Sequence, residues 1–149
     1  MDEVTPHEAQ VLLANEGTIF IDVRSQPEFQ AGHVPLAYNV PIAFACEGGF
    51  EDNPVFIGVV ERHFSKRLPI VVGCKSGGRS GRAALLLREA GYTVVFDMPA
   101  GFEGKRDAFG SLVTKGWSRC DLPVENGKGS DRSYESLTLD CAHNPTLPA

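Results

Sequence analysis

Hydrophobic residues along this chain fall into short blocks that alternate between strand-like and helix-like spacing. Apolar runs rich in β-branched residues predict four buried strands, at residues 18–23, 37–40, 68–73 and 93–96. Between these runs apolar positions recur at helical spacing, and the first such segment opens with a capping box from Thr5 to Glu8. Because strands and helices alternate, the pattern predicts an α/β fold with a mostly parallel sheet.

Glycine and proline positions mark where the remaining helices begin and end. A short helix at residues 26–31 is expected to end at Gly32, and Asn53 with Pro54 is expected to cap and open another helix. The other expected segments are a loop at residues 45–53, a helix that starts near residue 79 and ends at Gly91, and a short helix near residues 103–109.

Length and charge narrow the class of protein. The 149 residues predict one domain over residues 1–124 and a polar tail over 125–149 that is either flexible or packed on the surface. A net charge of −5 argues against binding to nucleic acid or to an anionic membrane. The sequence has no membrane-spanning apolar run, and its acidic start does not resemble a signal peptide, so we expect a cytoplasmic protein.

The four cysteines are widely spaced, and none belongs to a C-x-x-C pair; they are Cys46, Cys74, Cys120 and Cys141. This spacing argues against a disulfide framework and against a zinc ribbon. Cys141 and His143 are metal-ligand types without a second pair, so we expect no metal site. Each cysteine is therefore interpreted as a free thiol.

Cys74 stands where a thiol is expected to react. It follows the third predicted strand directly and precedes the helix near Arg79, and open α/β sheets bind ligands at such strand ends. The small residues 76–78 let the backbone curl, so that several N–H groups point inward as an anion nest. Lys75, Arg79 and the positive end of the following helix favour a thiolate at Cys74 and an anionic substrate beside it.

Four further residues are expected to support this loop. Asp22 and Arg24 follow a predicted strand end on the same side of the sheet as Cys74. Arg24 and Glu28 are four residues apart, which predicts an ion pair on one helical face. His33 follows a glycine at a turn, where a histidine is more often a structural hydrogen-bonding group than a general base.

Three blocks of residues form a larger pattern. The first is Cys74-x-x-Gly77-x-Arg79-Ser80; the second is Ile21-Asp22-Val23-Arg24, Glu28-Phe29, Gly32-His33-Val34, Ala37, Asn39 and Pro41; the weaker third is Ala100-Gly101-Phe102, Gly116-Trp117 and Leu122-Pro123-Val124. Over roughly residues 4–124 the chain resembles the single-domain rhodaneses, which are thiosulfate sulfurtransferases. The resemblance implies a five-stranded, mostly parallel sheet flanked by helices on both faces.

The resemblance also implies a chemistry. Cys74 would take sulfane sulfur from a small anionic donor such as thiosulfate and pass it, as a persulfide, to cyanide, a thiol or a protein acceptor. Arg79, with Lys75, would bind the donor oxygens, and no metal or organic cofactor would be needed. The remaining implied substrate-binding residues are Ser76, Gly77, Gly78 and Ser80, which form the backbone cradle.

This chain departs from the family pattern at three places. Leu36 stands where a glycine is usual, which is expected to affect packing near the second strand. Residues 97–104 lack the usual Gly-Gly pair, and residues 105–115 are longer than usual before Trp117. These two differences predict a reshaped rim around the pocket, where Phe102 and Trp117 are candidates for either rim or core positions.

Two other functions stay open from the sequence. A cysteine phosphatase or arsenate reductase on a similar loop would use a Cys-x5-Arg spacing, whereas this chain has Cys-x4-Arg from Cys74 to Arg79. A binding module of the same fold without catalysis often loses the cysteine, which this chain keeps. We therefore expect a sulfurtransferase.

Overall fold

The computed structural model of the protein describes residues 2–15 and 17–143. Its α-helices are Pro6–Leu13 (α1), Gln26–Ala31 (α2), Phe56–His63 (α3), Gly78–Glu89 (α4) and Tyr134–His143 (α5). Its strands are Asp2–Glu3 (β1), Ile19–Asp22 (β2), Tyr38–Asn39 (β3), Ala43–Cys46 (β4), Gly49–Asp52 (β5), Ile70–Gly73 (β6), Val95–Met98 (β7), Gly104–Arg106 (β8) and Leu112–Lys115 (β9).

Five strands form one parallel sheet in the order β1-β7-β6-β2-β3, which confirms the predicted α/β class. Alternate side chains of the central strands face opposite sides, so Ile21 and Val72 lie in a different core cluster from Phe20 and Val71. The first cluster includes residues of α3 and α4, and the second includes residues of α1 and α2. The sheet is thus covered by helices on both faces.

The central strand β6 sets the position of the site. Its last residue, Gly73, pairs with Asp22 of β2 on one side and with Met98 of β7 on the other. Three parallel strands therefore end together, and their carboxyl ends open onto one edge of the sheet. Ligands of open α/β sheets bind at this kind of edge.

Two segments differ from the sequence-based expectation and form antiparallel hairpins. The loop expected at residues 45–53 lies in the β4–β5 hairpin, whose turn uses the positive φ angles of Gly48 (87°) and Gly49 (141°). The helix expected near residues 103–109 is wrong, because this stretch pairs as β8 with β9. Gly104 has a φ of 109°, and a Cβ added there would clash with the Thr114 carbonyl of β9 and with the Gly116 N–H just after it, which suits a hairpin strand rather than a helix.

The helix expected to open at Asn53 and Pro54 begins two residues later, at Phe56. The Asn53 side chain accepts a hydrogen bond from the Val55 N–H at 3.1 Å and donates to the Pro41 carbonyl at 2.9 Å. It therefore stabilises the turn that leads into α3 instead of capping the helix itself.

The segment after residue 124 contacts the domain at several points. His33 and Glu125 exchange two backbone hydrogen bonds of 2.8 and 2.9 Å. Further along, the Leu137 side chain is buried, and its carbonyl accepts a hydrogen bond from His63 Nε2. Residues 144–149 of this segment, and the side chains of Cys141 and His143, lie outside the part that the structure describes.

None of the described helices is both long and apolar enough to cross a bilayer.

Candidate active site

Cys74 occupies the first position after β6, and its sulfur is the focus of the loop that leads into α4. The Gly77 N–H donates to Cys74 Sγ at 3.1 Å, and the Ser80 N–H donates at 3.3 Å. Gly77, with a φ of 106°, lets the backbone of the loop turn back towards the sulfur. Its Cα also lies so close to the Pro99 carbonyl that an added Cβ would clash there, so both the conformation and the space call for glycine.

Cys74 lines a cavity of about 650 Å³ although this residue is only 2% exposed. The cavity is lined by Ser25, Glu28, Ala45, Phe50, Cys74, Lys75, Ser76, Gly78 and Arg79. Most of the residues expected for the site are thus brought together around one opening. The hairpin residues Ala45 and Phe50, which are cross-strand partners in β4 and β5, were missed because their exposed pattern resembles a loop.

Arg79 is held by Glu28 through a two-pronged ion pair at the edge of this cavity. Arg79 Nη1 donates to Glu28 Oε1 at 2.8 Å, and Nη2 donates to Oε2 at 3.0 Å. The Arg79 guanidinium carbon also lies 5.1 Å from the centre of the Phe50 ring. The sequence identified both charged residues but did not pair them, because they are distant in the chain.

The ion pair shifts the pKa of both partners. Burial raises the pKa of Glu28, but the hydrogen bonds and charge of Arg79, with those from Ser25, outweigh burial and lower it to about 2. The hydrogen bonds to Glu28 raise the pKa of Arg79 above its ordinary value. Glu28 is therefore a carboxylate throughout the physiological range.

Asp22 and Arg24 form a separate, buried ion pair, so the expected pairing of Arg24 with Glu28 is wrong. Arg24 Nη2 lies 2.7 Å from Asp22 Oδ2 and also donates to the Gly32 carbonyl at 2.7 Å. The guanidinium lies 4.5 Å from the centre of the Phe102 ring. Arg24 is closer to Asp22 because the chain turns after β2, which the helical spacing rule does not anticipate.

Arg24, Glu28, Lys75 and Phe102 line a second cavity of about 280 Å³. This cavity shares Glu28 and Lys75 with the cavity at Cys74. Phe102 therefore lies at a rim, whereas Trp117 is in the core at 2% exposure. The Lys75 side chain is half exposed, and its Nζ lies 3.7 Å from Glu103 Oε2.

Ser80 and Asp97 lie beneath the loop. Ser80 is fully buried, and its hydroxyl is 3.3 Å from the Gly77 carbonyl. Burial raises the pKa of the Asp97 carboxyl, against a hydrogen bond from Ser80 that lowers it. Asp97 was missed by sequence reasoning, since a single aspartate at the end of a strand carries no motif.

His33 has a structural environment. Its ring is fully buried, is stacked on Phe29 with the ring centres 3.7 Å apart, and has Nδ1 2.7 Å from the Phe29 carbonyl. Nε2 lies 3.0 Å from Glu125 Oε1. The hydrogen bond to His33 lowers the pKa of Glu125, and Arg132 adds to this effect.

Asp22 and His33 are not among the described lining residues of the Cys74 cavity.

The chain after β7 braces the loop from outside. The Phe102 N–H donates to the Cys74 carbonyl at 2.7 Å, and the Glu103 N–H donates to the Lys75 carbonyl at 3.0 Å. Gly101 has a φ of 71°, and its Cα packs directly against the Cys74 and Lys75 carbonyl groups. The Cys74 loop is thus held on its far side by a strand-like run of hydrogen bonds.

The arrangement suits a cysteine nucleophile. Two amide dipoles converge on the sulfur, and the N-terminal end of α4 lies behind them. Cys74 lines a cavity that carries both cationic and anionic groups, from Lys75, Arg79 and Glu28. Among the described residues, no group of three or more His, Cys, Asp or Glu side chains is placed to hold a metal ion.

Comparison with known proteins yields a consistent set of relatives. A family model described as "Rhodanese-like domain" matches residues 5–108. The chain is 39% identical over 124 residues to thiosulfate sulfurtransferase 16, chloroplastic, of Arabidopsis thaliana, covering 80% of this chain and 93% of that one. It is 35% identical over 113 residues to rhodanese-like domain-containing protein 15, chloroplastic, of the same plant, covering 76% of this chain but only 56% of the relative.

A solved structure shares the architecture. The crystal structure of Rv0390 from M. tuberculosis superposes with a TM-score of 0.73 at 30% sequence identity. The match covers 85% of this chain and 98% of that one.

Proposed function

The chain belongs to the rhodanese-like domain family, and from that premise we propose that it is a sulfurtransferase whose sulfur carrier is Cys74. The observation that carries the proposal is the convergence of the Gly77 and Ser80 amides on the sulfur of Cys74, a residue that lines an open cavity. Such donors hold negative charge on sulfur without a metal, and they serve a thiolate and a persulfide equally.

The first half-reaction loads the cysteine. The Cys74 thiolate attacks the outer sulfur of thiosulfate or a similar donor, a new S–S bond forms, and the old S–S bond breaks. Sulfite leaves with the electron pair, so no external oxidant or reductant is needed. The amides of the loop then hold the terminal charge of the persulfide.

The second half-reaction unloads it. Cyanide, or the thiolate of a small molecule or protein, attacks the outer sulfur of the persulfide. The S–S bond breaks, thiocyanate or a new persulfide departs, and the electron pair returns to Cys74. Arg79 and Lys75 are the cations at the cavity for the oxygens of the donor, and Ser76 and Gly78 complete its wall.

The experiment is intact mass spectrometry of the protein after incubation with thiosulfate. We expect a gain of one sulfur atom that cyanide removes, and we expect Cys74→Ser to abolish the gain. Cys46→Ser is the matched control, because Cys46 is an exposed thiol on the β4–β5 hairpin and its loss should leave loading intact.

Two outcomes would contradict the proposal. If neither thiosulfate nor glutathione persulfide adds sulfur to the protein, Cys74 is not a sulfur carrier. Hydrolysis of para-nitrophenyl phosphate without sulfur uptake would indicate the cysteine phosphatase alternative instead.

The cytoplasm remains our predicted location. Two curated relatives from Arabidopsis thaliana are named chloroplastic, and a third is named mitochondrial.

A further inference from the structure

Asp97 is a buried carboxyl group that the proposed reaction does not use. It lies in β7 opposite Val72 of β6 and is only 4% exposed. Side chains alternate along a strand, so Asp97 faces the same side of the sheet as Val95, which belongs to the apolar cluster under α3 and α4. A carboxyl group in this position has lost its hydration, which costs free energy unless polar contacts compensate for it.

The described residues give this carboxyl group little compensation. Asp97 Oδ1 is buried and has no hydrogen-bond partner among them. Burial raises the pKa of Asp97, and the charge of Glu3 raises it further, whereas a hydrogen bond from Ser80 and the charge of Lys105 lower it. An apolar side chain of the same shape would fill the space without an unpaired oxygen. The polar contact with Ser80 is therefore what a carboxyl group contributes at this position.

Ser80 lies above Asp97 in the first turn of α4. Asp97 Oδ2 packs against this same turn, 3.6 Å from the position that a Cβ on Gly81 would take. Ser80 is fully buried, so its hydroxyl group depends on protein partners, which are the Asp97 carboxyl group and the Gly77 carbonyl at 3.3 Å. The carboxyl group thus holds Ser80 from the sheet side.

Ser80 connects this contact to the reactive sulfur. Its backbone N–H donates to Cys74 Sγ at 3.3 Å. Its hydroxyl group bonds the carbonyl of Gly77, the residue whose N–H is the other donor to the sulfur, at 3.1 Å. Both amides that converge on Cys74 are therefore linked through one serine to Asp97.

We propose that Asp97 is a positioning residue for sulfur transfer, which holds Ser80 from beneath the loop and so aims the Ser80 and Gly77 amides at Cys74 Sγ. The inference rests on the proposed function and adds a residue to its machinery. Asp97 does not touch the substrate and exchanges no proton with it. Its effect reaches the reaction only through Ser80.

Two substitutions of similar shape separate the polar contact from the packing. Asp97→Asn keeps a polar group that can bond the Ser80 hydroxyl, whereas Asp97→Leu fills the same space with no polar atom. Replacement of a buried polar group by an apolar one of the same shape often leaves stability nearly unchanged. Gly81→Ala is the matched control, because it adds a methyl group at ordinary contact distance from Asp97 Oδ2 and removes no polar contact.

The measurement is the time course of sulfur gain by intact mass at several concentrations of thiosulfate. Its amplitude reports the fraction of competent protein, and its rate reports the reactivity of Cys74. We expect Asp97→Leu to lower the rate at saturating thiosulfate about fivefold, the effect of one lost hydrogen bond. The amplitude and the half-saturating concentration should stay unchanged, because Lys75 and Arg79 are untouched. Asp97→Asn and Gly81→Ala should load at close to the wild-type rate.

A double-mutant cycle tests the route through Ser80. Ser80→Ala removes the hydroxyl group and keeps the backbone N–H, so it should slow loading about as much as Asp97→Leu does. The two substitutions together should be no slower than either alone, because they break the same contact. Independent effects would instead multiply.

Alkylation by iodoacetamide gives a readout that needs no sulfur donor. The Cys74 sulfur displaces iodide as the C–S bond forms, and peptide mapping separates this product from those of the other cysteines. Asp97→Leu should slow this reaction by the same factor. If the wild type takes up no sulfur while this difference in alkylation persists, the proposed function fails and the role of Asp97 stands.

Several results would overturn the inference itself. These are wild-type rates in Asp97→Leu, equal slowing by Asp97→Asn or by Gly81→Ala, and additive effects of Asp97→Leu and Ser80→Ala. A loss confined to the amplitude would likewise overturn it, because such a loss means that Asp97 only stabilises the fold.

Discussion

Gly101 lies against the outside of the active-site loop, and its replacement by alanine should damage both stability and sulfur loading. An added Cβ would lie 2.8 Å from the Cys74 carbonyl oxygen and closer still to the Lys75 carbonyl group. These neighbours are backbone atoms, so relief requires the loop or the segment after β7 to move. The Phe102 and Glu103 N–H groups donate hydrogen bonds to the same two carbonyl groups, so these bonds join the two segments that the added Cβ would push apart.

The expected loss in the free energy of unfolding has two parts. A φ of 71° costs an alanine about 1–2 kcal/mol relative to glycine. Separation of the two segments weakens two hydrogen bonds, each of which contributes about 1 kcal/mol. The expected loss in the free energy of unfolding is therefore about 3–4 kcal/mol.

Gly110→Ala isolates the first part. Gly110 has a φ of 82°, and no described atom lies within 4 Å of the Cβ that alanine would add. Chemical denaturation should show a loss of about 1–2 kcal/mol for Gly110→Ala and about 2 kcal/mol more for Gly101→Ala.

Activity provides the second readout. Movement of the loop carries the Gly77 and Ser80 amides away from the sulfur, and displacements near 1 Å cost about 100-fold in comparable sites. We expect the rate of persulfide formation to fall between about 10- and 100-fold in Gly101→Ala and to stay unchanged in Gly110→Ala. Equal destabilisation of the two variants, or normal loading by Gly101→Ala, would refute the packing argument.

Two further predictions concern strain and acid stability. Leu36 is an exposed leucine with a φ of 66°, so Leu36→Gly should raise the free energy of unfolding by about 0.5–1 kcal/mol, whereas Leu36→Ala, which keeps the strain, should give no such gain in chemical denaturation. The folded-state pKa of Glu28, about 2, lies below its ordinary value of 4.5, so the ion pair with Arg79 stabilises the fold fully above pH 4.5, and the stabilisation disappears as pH falls towards 2. After allowance for partial exposure, wild type should lose about 1–2 kcal/mol more than Glu28→Gln over that interval; parallel pH profiles would contradict this.

The elements predicted correctly are those whose signals are local. Strands β2 and β6 are continuous buried runs, and α2 has a complete capping box from Ser25 to Glu28. The loop at Cys74 combines a strand end, small residues and a helix start within a few positions. These features act between near neighbours in the chain, so the sequence displays them directly.

The elements that escaped prediction depend on distant partners. β1 is two acidic, exposed residues that become a strand only because β7 offers a parallel edge, with Asp2 opposite Phe96. Phe50 lies in an exposed hairpin, and it belongs to the site only because folding brings its ring close to Arg79. Local spacing paired Glu28 with Arg24, whereas folding brings Glu28 to Arg79.

The same dependence explains Leu36. The sequence showed only that a leucine stands where glycine is usual in related chains. The structure shows why glycine is usual there, since the backbone has a positive φ at this position.

Trp117 gives the protein an intrinsic optical reporter of its own catalytic loop. It is the single tryptophan of the chain and is buried, and its indole N–H donates to the Pro123 carbonyl at 2.7 Å. Its backbone N–H donates to the Gly101 carbonyl at 2.9 Å, which connects it to the segment behind the thiol. Its emission spectrum therefore follows the integrity of that segment, so fluorescence can follow assembly of the site during refolding without any added label.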